Sequence, residues 1–538
     1  MEKKVKQKRK ERNGAPRNVL QLLLVGAVTG VFAGGVVTLF NILAVKGEAF
    51  SRGAYAFVRE NPVFIPLLLL VLALGAFFIG VAVQISSVAR GCGIPQAEGA
   101  ARGIVRFRWF RDATAMFASC LISIFMGLSI GAEGPSVLIG ACVGDGVSYC
   151  LRRNEMIRRY QVTGGACTGL AVAGNVPLTG IIFAFEEAHK HFMPEVFICS
   201  FISVIFGLLT RSAIYGVFQM QIQSSFHSYI FQEMAFVDYG FVFCAGIVCG
   251  LLGVLFTKSC FKMRDLFKKI KFRDPKWTLT ARIAIAVFLG GAVSLVATGV
   301  MGGGHELIES LGTYGGTASV RTESVFGLPL AWTLLIVFVL RFMITGVNVG
   351  SGIPCGIFIP VIAIGACIGG LLNCLWVGLG MNAAYCDLMI MICLAAFFTT
   401  IVRAPLTSII MICELTGSFA PLLPVVIAVS VGYIIGEISR TDGIYETLLE
   451  IYERESGIHE RAVRERFVLV LYSGSIADKR EIRDVLWPSG TRVVEIARGE
   501  ETILPDGSTQ LHAGDVLTIV CKTTDAAKTR DELVHILG

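Results

Sequence analysis

The stretch Ile130-Gly131-Ala132-Glu133-Gly134-Pro135-Ser136-Val137 places one acid and a Gly/Pro break between apolar flanks. A carboxylate in such surroundings is costly unless it is paired, protonated or itself occupies an anion site. Pro in the first turn of a helix needs no hydrogen-bonded N–H, so the stretch predicts a loop that leads into a helix N-terminus within a membrane. Unpaired N–H groups and the positive end of the helix dipole then face the loop, which suits an anion. Two readings of Glu133 stay open. It caps the helix by satisfying backbone N–H groups, or it competes with a permeant anion for the same donors and swings out on protonation.

Three further Gly/Pro-bounded segments interrupt the apolar pattern: Gly91 to Pro95, Gly350 to Pro354 and Gly356 to Pro360. Each is read in the same way, as a loop before a helix N-terminus. A single such loop is ordinary punctuation. Four of them, spread over two halves of the chain, point to an anion site.

Outward from these loops, the chain is that of a polytopic membrane protein. It has 538 residues, 54% of them hydrophobic and only 16% charged, with a mean hydropathy of +0.69. A soluble globular chain of this length does not normally reach that value. Long apolar runs at Leu20 to Val45, Val63 to Val83 and Ile283 to Val300, with shorter ones at Phe241 to Phe256 and Leu328 to Leu340, lead to an expectation of about ten to fourteen membrane segments, several too short or too Gly-broken to span alone. The 60 Gly residues fit closely approaching helices and irregular backbone buried in protein. The 16 Cys are scattered singly, without a Cys-x-x-Cys pair, and read as small packing residues rather than a disulfide framework or zinc site.

The net charge of +7 concentrates in three regions. They are the N-terminus from Lys3 to Arg12, the connection holding Arg152, Arg153, Arg158 and Arg159, and Lys258 through Arg282. By the positive-inside rule all three are expected on the cytoplasmic side. A basic run can also bind nucleic acid, but ahead of an apolar segment it reads as a topology signal, and no nucleic-acid partner is expected. The apolar stretch after Arg17 is too long for a cleaved signal peptide.

By composition the chain divides into a basic N-terminus (1–17), a membrane region (18–449), a charged linker (450–466) and a polar tail (467–538). Strands are predicted in the tail at Phe467 to Tyr472, Thr491 to Ile496, Thr502 to Leu504 and Val516 to Val520, and a helix at Asp478 to Leu486, giving a small α+β module. The membrane region carries an internal echo. Pro177-Leu178-Thr179-Gly180-Ile181-Ile182 precedes Glu186, and Pro405-Leu406-Thr407-Ser408-Ile409-Ile410 precedes Glu414 at the same interval. Gly91-Cys92-Gly93-Ile94-Pro95 and Gly350-Ser351-Gly352-Ile353-Pro354 form a second pair. Duplication predicts two related halves with a binding site where they meet near the midplane; chance similarity in Gly- and Pro-rich sequence is the alternative.

Gly91-Cys92-Gly93-Ile94-Pro95, Gly131-Ala132-Glu133-Gly134-Pro135, Gly356-Ile357-Phe358-Ile359-Pro360 and Tyr445 stand in the order and approximate spacing of the CLC chloride channel and transporter family. Asn175-Val176-Pro177-Leu178-Thr179-Gly180 and Arg403-Ala404-Pro405-Leu406-Thr407 add to the resemblance, which covers nearly all of residues 18 to 450. It implies an all-α polytopic membrane protein of two inverted-topology repeats with broken helices, with the small cytoplasmic α+β domain appended. It also implies an anion bound by Cys92, Gly93, the backbone amides near Ile357 and Phe358, and the Tyr445 hydroxyl. Glu133 looks like the external gating glutamate and Glu187 like the internal proton-accepting glutamate of antiporters, with Glu98 a structural acid near the internal proton route. Beside this, Glu187 can be read as a solvated acid at a helix end next to His189 and Lys190, and Tyr445 as a surface tyrosine past the last membrane helix.

The position most often filled by Ser in the family is Cys92 here. A thiol is a weaker donor, larger and softer than a hydroxyl, so affinity falls or selectivity moves towards another monovalent anion. The fluoride-exporting branch typically carries Met there, so Cys matches neither pattern. The tail resembles the C-terminal half of an RCK regulatory module (TrkA C-terminal type), including the phrase His512-Ala513-Gly514-Asp515-Val516-Leu517. Such modules dimerise and bind small ligands, but the tail holds no Gly-x-Gly-x-x-Gly nucleotide fingerprint.

The expected function is chloride/proton antiport by a homodimer in the cell membrane with both termini cytoplasmic. The alternatives are a passive anion channel or an exchanger for another halide such as fluoride. No nucleophile triad, metal-ligand cluster or phosphate loop suggests an enzyme. Chloride and protons are the expected partners along with the lipid membrane; no metal or cofactor is predicted, and a small ligand on the tail stays unidentified.

Overall fold

In lipid, backbone polar groups must be satisfied internally, so apolar runs of this length close their hydrogen bonds within helices. The computed structural model describes residues 2–220, 226, 229–312, 325, 327–456, 463–499, 501–523 and 526–538. Among these, eight helices are long and apolar enough to cross a bilayer: Val19–Glu60 (within the helix Glu2–Glu60), Pro62–Ile85, Pro194–Val217, Phe236–Lys268, Pro275–Val296, Leu330–Ser351, Phe358–Gly378 and Ala383–Val402. Pro405–Thr416 and Leu422–Ile438 are shorter apolar helices. The wider count expected from the sequence is made up by such short, Gly-broken or more polar helices, among them Ile94–Ala101, Trp109–Phe125, Glu133–Cys150, Glu155–Gly174 and Pro177–Phe183.

Glycine lets the inner helices touch. A Cβ on Gly140 would lie 2.2 Å from the Gly165 carbonyl oxygen, and one on Gly165 equally close to that of Gly140. The Glu133–Cys150 and Glu155–Gly174 helices therefore pack backbone to backbone.

The Pro177 and Pro405 echoes both open helices, Pro177–Phe183 and Pro405–Thr416. Each helix is capped by the glutamate of the other echo, Glu414 for the first and Glu186 for the second. The second pair does not behave as a repeat of one element. Gly91 to Pro95 opens the helix Ile94–Ala101, whereas Gly350 to Pro354 closes the helix Leu330–Ser351. Gly352 is the reason: at φ +78° it takes the left-handed C-cap conformation, and no helix resumes before Phe358. So three of the four expected loop-to-helix starts exist.

The tail forms a four-stranded antiparallel sheet in the order Val463–Val470, Val516–Thr523, Thr491–Arg498, Glu501–Ile503, with a bulge between Val493 and Glu495. The helix expected at Asp478 to Leu486 is absent. Lys479, Ile482 and Arg483 donate their N–H groups to the carbonyls of Leu511, Thr509 and Gly507, so this segment is tied to another extended segment and keeps only the short turn Ile482–Asp484. The helix is instead Ala526–Leu537, which buries Leu533, Ile536 and Leu537 against Ile496, Leu517 and Ile519. The linker also starts later than composition suggests. The helix Ile444–Glu455 takes its first residues, and 457–462 lie outside the described residues.

Candidate anion and proton site

Three broken-helix loops are sewn together by backbone hydrogen bonds. Gly131 N–H donates to Gly356 O at 2.8 Å, Gly356 N–H donates back to Gly131 O at 3.1 Å, and Cys355 N–H reaches Gly91 O at 3.1 Å. At Gly93 the backbone has φ +92°, and a Cβ there would lie 2.8 Å from Gly134 O. Only glycine fits that turn, and it brings the Cys92 loop against the start of the Glu133–Cys150 helix.

The helices Ile94–Ala101, Glu133–Cys150 and Phe358–Gly378 thus start beside one another. Their first-turn N–H groups have no partner within the helix, and their dipoles give this point a positive field. Gly93 is an exception among the expected donors: its N–H is held by Gln96 Oε1 at 3.1 Å, and Gln96 Nε2 donates to Arg90 O at 2.6 Å. Gly93 therefore shapes the loop, while the amides of Ile357 and Ile94 lie beside the Cys92 thiol.

The sequence-predicted side chains converge here. Cys92, Glu133, Glu187, Ile357, Phe358 and Tyr445 are all buried. Tyr445 is the second residue of the Ile444–Glu455 helix, and Cys92, Glu98, Glu133 and Glu187 all lie within electrostatic reach of its hydroxyl. That hydroxyl has no partner among the described residues. A buried unpaired O–H is expensive, and it leaves this hydroxyl free to donate to an acceptor. The reading of Tyr445 as a surface residue is therefore wrong. Phe358 stands at the start of its helix with its ring 4.7 Å, centroid to centroid, from that of Phe398.

Glu133 is the first residue of its helix, with no side-chain capping bond from the preceding position. Its Oε1 lies 3.1 Å from His305 Nε2, while Oε2 has no partner among the described residues. Glu187 sits in a π-helical turn, Ala184–Ala188, and is 5% exposed, with Oε2 also unpartnered. It is not a solvated helix-end acid. Arg102 fixes its backbone, donating to Glu187 O at 2.9 Å and Ala188 O at 2.8 Å, and lies 3.7 Å from Glu98. A cavity of about 360 Å³ leads to Cys92 from the side of the Ile444–Glu455 helix's C-terminal end, lined among others by Arg90, Gln96, Arg264, Tyr452 and Glu455.

The family profile described as "Voltage gated chloride channel" matches residues 74–437. The chain belongs to the voltage-gated chloride channel family. Curated relatives include proteins named H(+)/Cl(-) exchange transporter ClcA. That of Vibrio cholerae serotype O1 (strain M66-2) is 31% identical over 443 residues, covering 80% of this chain and 89% of the relative. That of Yersinia pseudotuberculosis serotype IB (strain PB1/+) is 28% identical over 464 residues, covering 80% and 87%. Among solved structures, that of a slow cyanobacterial Cl-/H+ antiporter superposes with a TM-score of 0.70 at 22% identity, covering 81% of this chain and 99% of that one. A CLC-type fluoride/proton antiporter superposes at 0.61 and 20% identity, covering 79% and 97%. These likenesses establish the voltage-gated chloride channel fold. The tail, residues 467–534, matches the TrkA-C domain.

Three polar residues of the site escape a reading from sequence. His305 follows Gly302-Gly303-Gly304, a run that itself signalled irregular backbone. Arg341 is a lone cation in the apolar Leu330–Ser351 helix, a signal of functional importance in a membrane segment. Gln96 gives no local clue, since its partners Gly93 N–H and Arg90 O are defined only by the fold.

Proposed function

We propose that this chain exchanges chloride for protons across the membrane. The single observation that carries the reading is the placement of Glu133, a buried carboxylate on the first turn of a helix, at the junction of three loops and within electrostatic reach of the unpaired Tyr445 hydroxyl. When ionised, Glu133 competes with the anion for positive field and N–H donors. When protonated it loses that attraction, the anion takes its place, and the carboxylic acid carries one proton.

The anion is held by the Ile357 and Phe358 amides, the Tyr445 hydroxyl and the Cys92 thiol. Glu187 receives the proton from the opposite side; it is buried, and its Oε2 has no hydrogen-bond partner among the described residues. Similarity to relatives named H(+)/Cl(-) exchange transporters supports exchange over passive flow. The protein works as a homodimer in the cell membrane. The tail contacts Arg159 and Asn154, next to the basic connection at Arg152 and Arg153, which supports a cytoplasmic tail. Transport, not catalysis of a covalent reaction, is its activity.

Flux from proteoliposomes tests this. An imposed chloride gradient is expected to drive uphill proton movement, and Glu133→Ala to keep anion flux while losing that coupling. Chloride flux without proton movement in the unaltered protein gives the passive channel instead.

A further inference from the structure

Glu133 is 5% exposed in its side chain, whereas the imidazole 3.1 Å from it is 38% exposed. His305 thus stands between the buried carboxylate and water. It lies on the face remote from the tail: the Glu133–Cys150 helix has 18 residues, a rise of roughly 27 Å, and its far end leads to Asn154, which meets His535 of the tail.

The imidazole stands on a built platform. It opens the short helix His305–Leu311, and the loop before it is clamped by Arg341, which is fully buried and donates to Gly299 O at 2.9 Å, Met301 O at 3.1 Å and Gly303 O at 3.1 Å. Glu48 Oε1 accepts from Gly303 N–H at 3.2 Å, and the Phe226 ring lies 6.2 Å from the imidazole, centroid to centroid. Other charges around the ring are Glu48 and Arg52 from the first helix, Arg341 from the Leu330–Ser351 helix, and Glu306 and Glu309 on its own helix. Arg52 pairs with both Glu306 and Glu48.

We propose that His305 is the group through which protons pass between the tail-remote solution and Glu133, an inference that rests on the proton-exchange reading above. The doubly protonated imidazole donates its Nε2 proton to Glu133 Oε1. The carboxylate becomes a neutral acid and the imidazole keeps its Nδ1 proton. When the neutral acid turns away from the ring, Nε2 is open to water and takes up the next proton; release runs the same steps backwards. An imidazole suits this because its charge changes between pH 5 and 8.

The test uses the full chain in proteoliposomes, with chloride-driven proton movement followed against the pH of the tail-remote solution. His305→Gln keeps a hydrogen-bond donor but does not titrate. It is expected to slow proton movement by roughly tenfold or more and to flatten its pH profile. Anion flux of Glu133→Ala should be unchanged when His305→Gln is added, because the imidazole acts through the carboxylate. An unaltered pH profile and rate in His305→Gln overturns the inference while coupled exchange stands. Slower anion flux in the double variant also overturns it, by making His305 a scaffold residue. Unaltered protein that moves no protons overturns the exchange reading and this inference together.

Discussion

Glu186 and Glu414 cap each other's helices. Glu186 accepts from the N–H groups of Leu406 (2.8 Å) and Thr407 (2.6 Å) and from the Thr407 hydroxyl (2.6 Å). Glu414 accepts from those of Leu178 (2.6 Å) and Thr179 (2.8 Å) and from the Thr179 hydroxyl (2.7 Å). Two stretches of similar sequence thus make the same contact in opposite directions, which explains why the interval from Pro to Glu is kept in both. Each carboxylate sits on the positive end of a short helix and is also its N-terminal cap.

Replacing either acid by Ala removes the acceptor of three donors. Glu186→Ala is expected to lower stability by about 2 kcal/mol, Glu414→Ala by a similar amount, and the double variant by about the sum, since the two caps share no partner. Thermal unfolding of purified protein in detergent measures this. A loss below about 0.5 kcal/mol, the range of an ordinary surface change, removes the capping account.

Cys92→Ser replaces a weak donor by a stronger one at the loop that meets the Ile357 amide. Chloride binding is expected to tighten by about 1 kcal/mol, roughly fivefold in Kd, as one ordinary hydrogen bond contributes. Calorimetric titration of chloride, with bromide and nitrate beside it, reads the change. Equal Kd values in the two proteins would take the Cys92 side chain out of the anion's contacts.

The broken helices were legible because Gly and Pro act locally. Gly131 to Pro135 and Gly356 to Pro360 say where helices begin, whatever surrounds them. Their pairing through Gly131 and Gly356 was not, since it depends on elements far apart in the chain. Gly350 to Pro354 shows the limit of local signals: the same residue types also end a helix, and only the left-handed Gly352 decides which. In the tail, strand alternation is readable, and the helical spacing of Leu533, Ile536 and Leu537 is a weaker signal of the Ala526–Leu537 helix. Glu133 stands out as an acid among apolar residues, whereas the roles of His305 and Arg341 depend on partners that only the fold brings close.

Glu455 bridges the two arginines at the mouth of the cavity that leads to Cys92, 2.8 Å from Arg264 and 3.3 Å from Arg90, with Lys268 at 3.8 Å. Burial opposes ionisation here, but the Arg264 hydrogen bond and the charges of Arg264, Arg90 and Lys268 outweigh it and hold the carboxyl below its usual range. A depressed carboxyl stabilises the fold above its unfolded value, near 4.3, and that contribution is lost as pH falls through the folded value. Glu455→Gln leaves the cations unneutralised, so anion entry is expected to rise by on the order of tenfold at low ionic strength. The gain should vanish near 1 M salt, where screening acts within about 3 Å. Flux that is no faster at low salt would mean that the mouth does not limit anion entry.

Arg159 joins the tail to the transport site. Its Nε donates to Ala101 O at 2.9 Å, at the end of the helix that begins on the Cys92 loop, and its Nη1 to Trp487 O at 2.9 Å. Arg480 pairs with Glu195, and Arg106 lies 3.8 Å from Glu532, so two ion pairs hold the docking surface beside the Arg159 hydrogen bond. Arg159 alone is buried, which makes it the contact that water replaces least well. Arg159→Leu is expected to undock the tail without unfolding it, because the tail's core of Ile496, Leu517, Ile519 and Leu533 does not involve Arg159. Arg159→Lys should fail as well, since an ammonium cannot reproduce the planar fork that reaches both carbonyls. Hydrogen exchange of backbone amides reads the result: faster exchange at residues 480–487 with unchanged protection in the strand Val516–Thr523. Loss of protection in both regions would show instead that the tail depends on docking to stay folded.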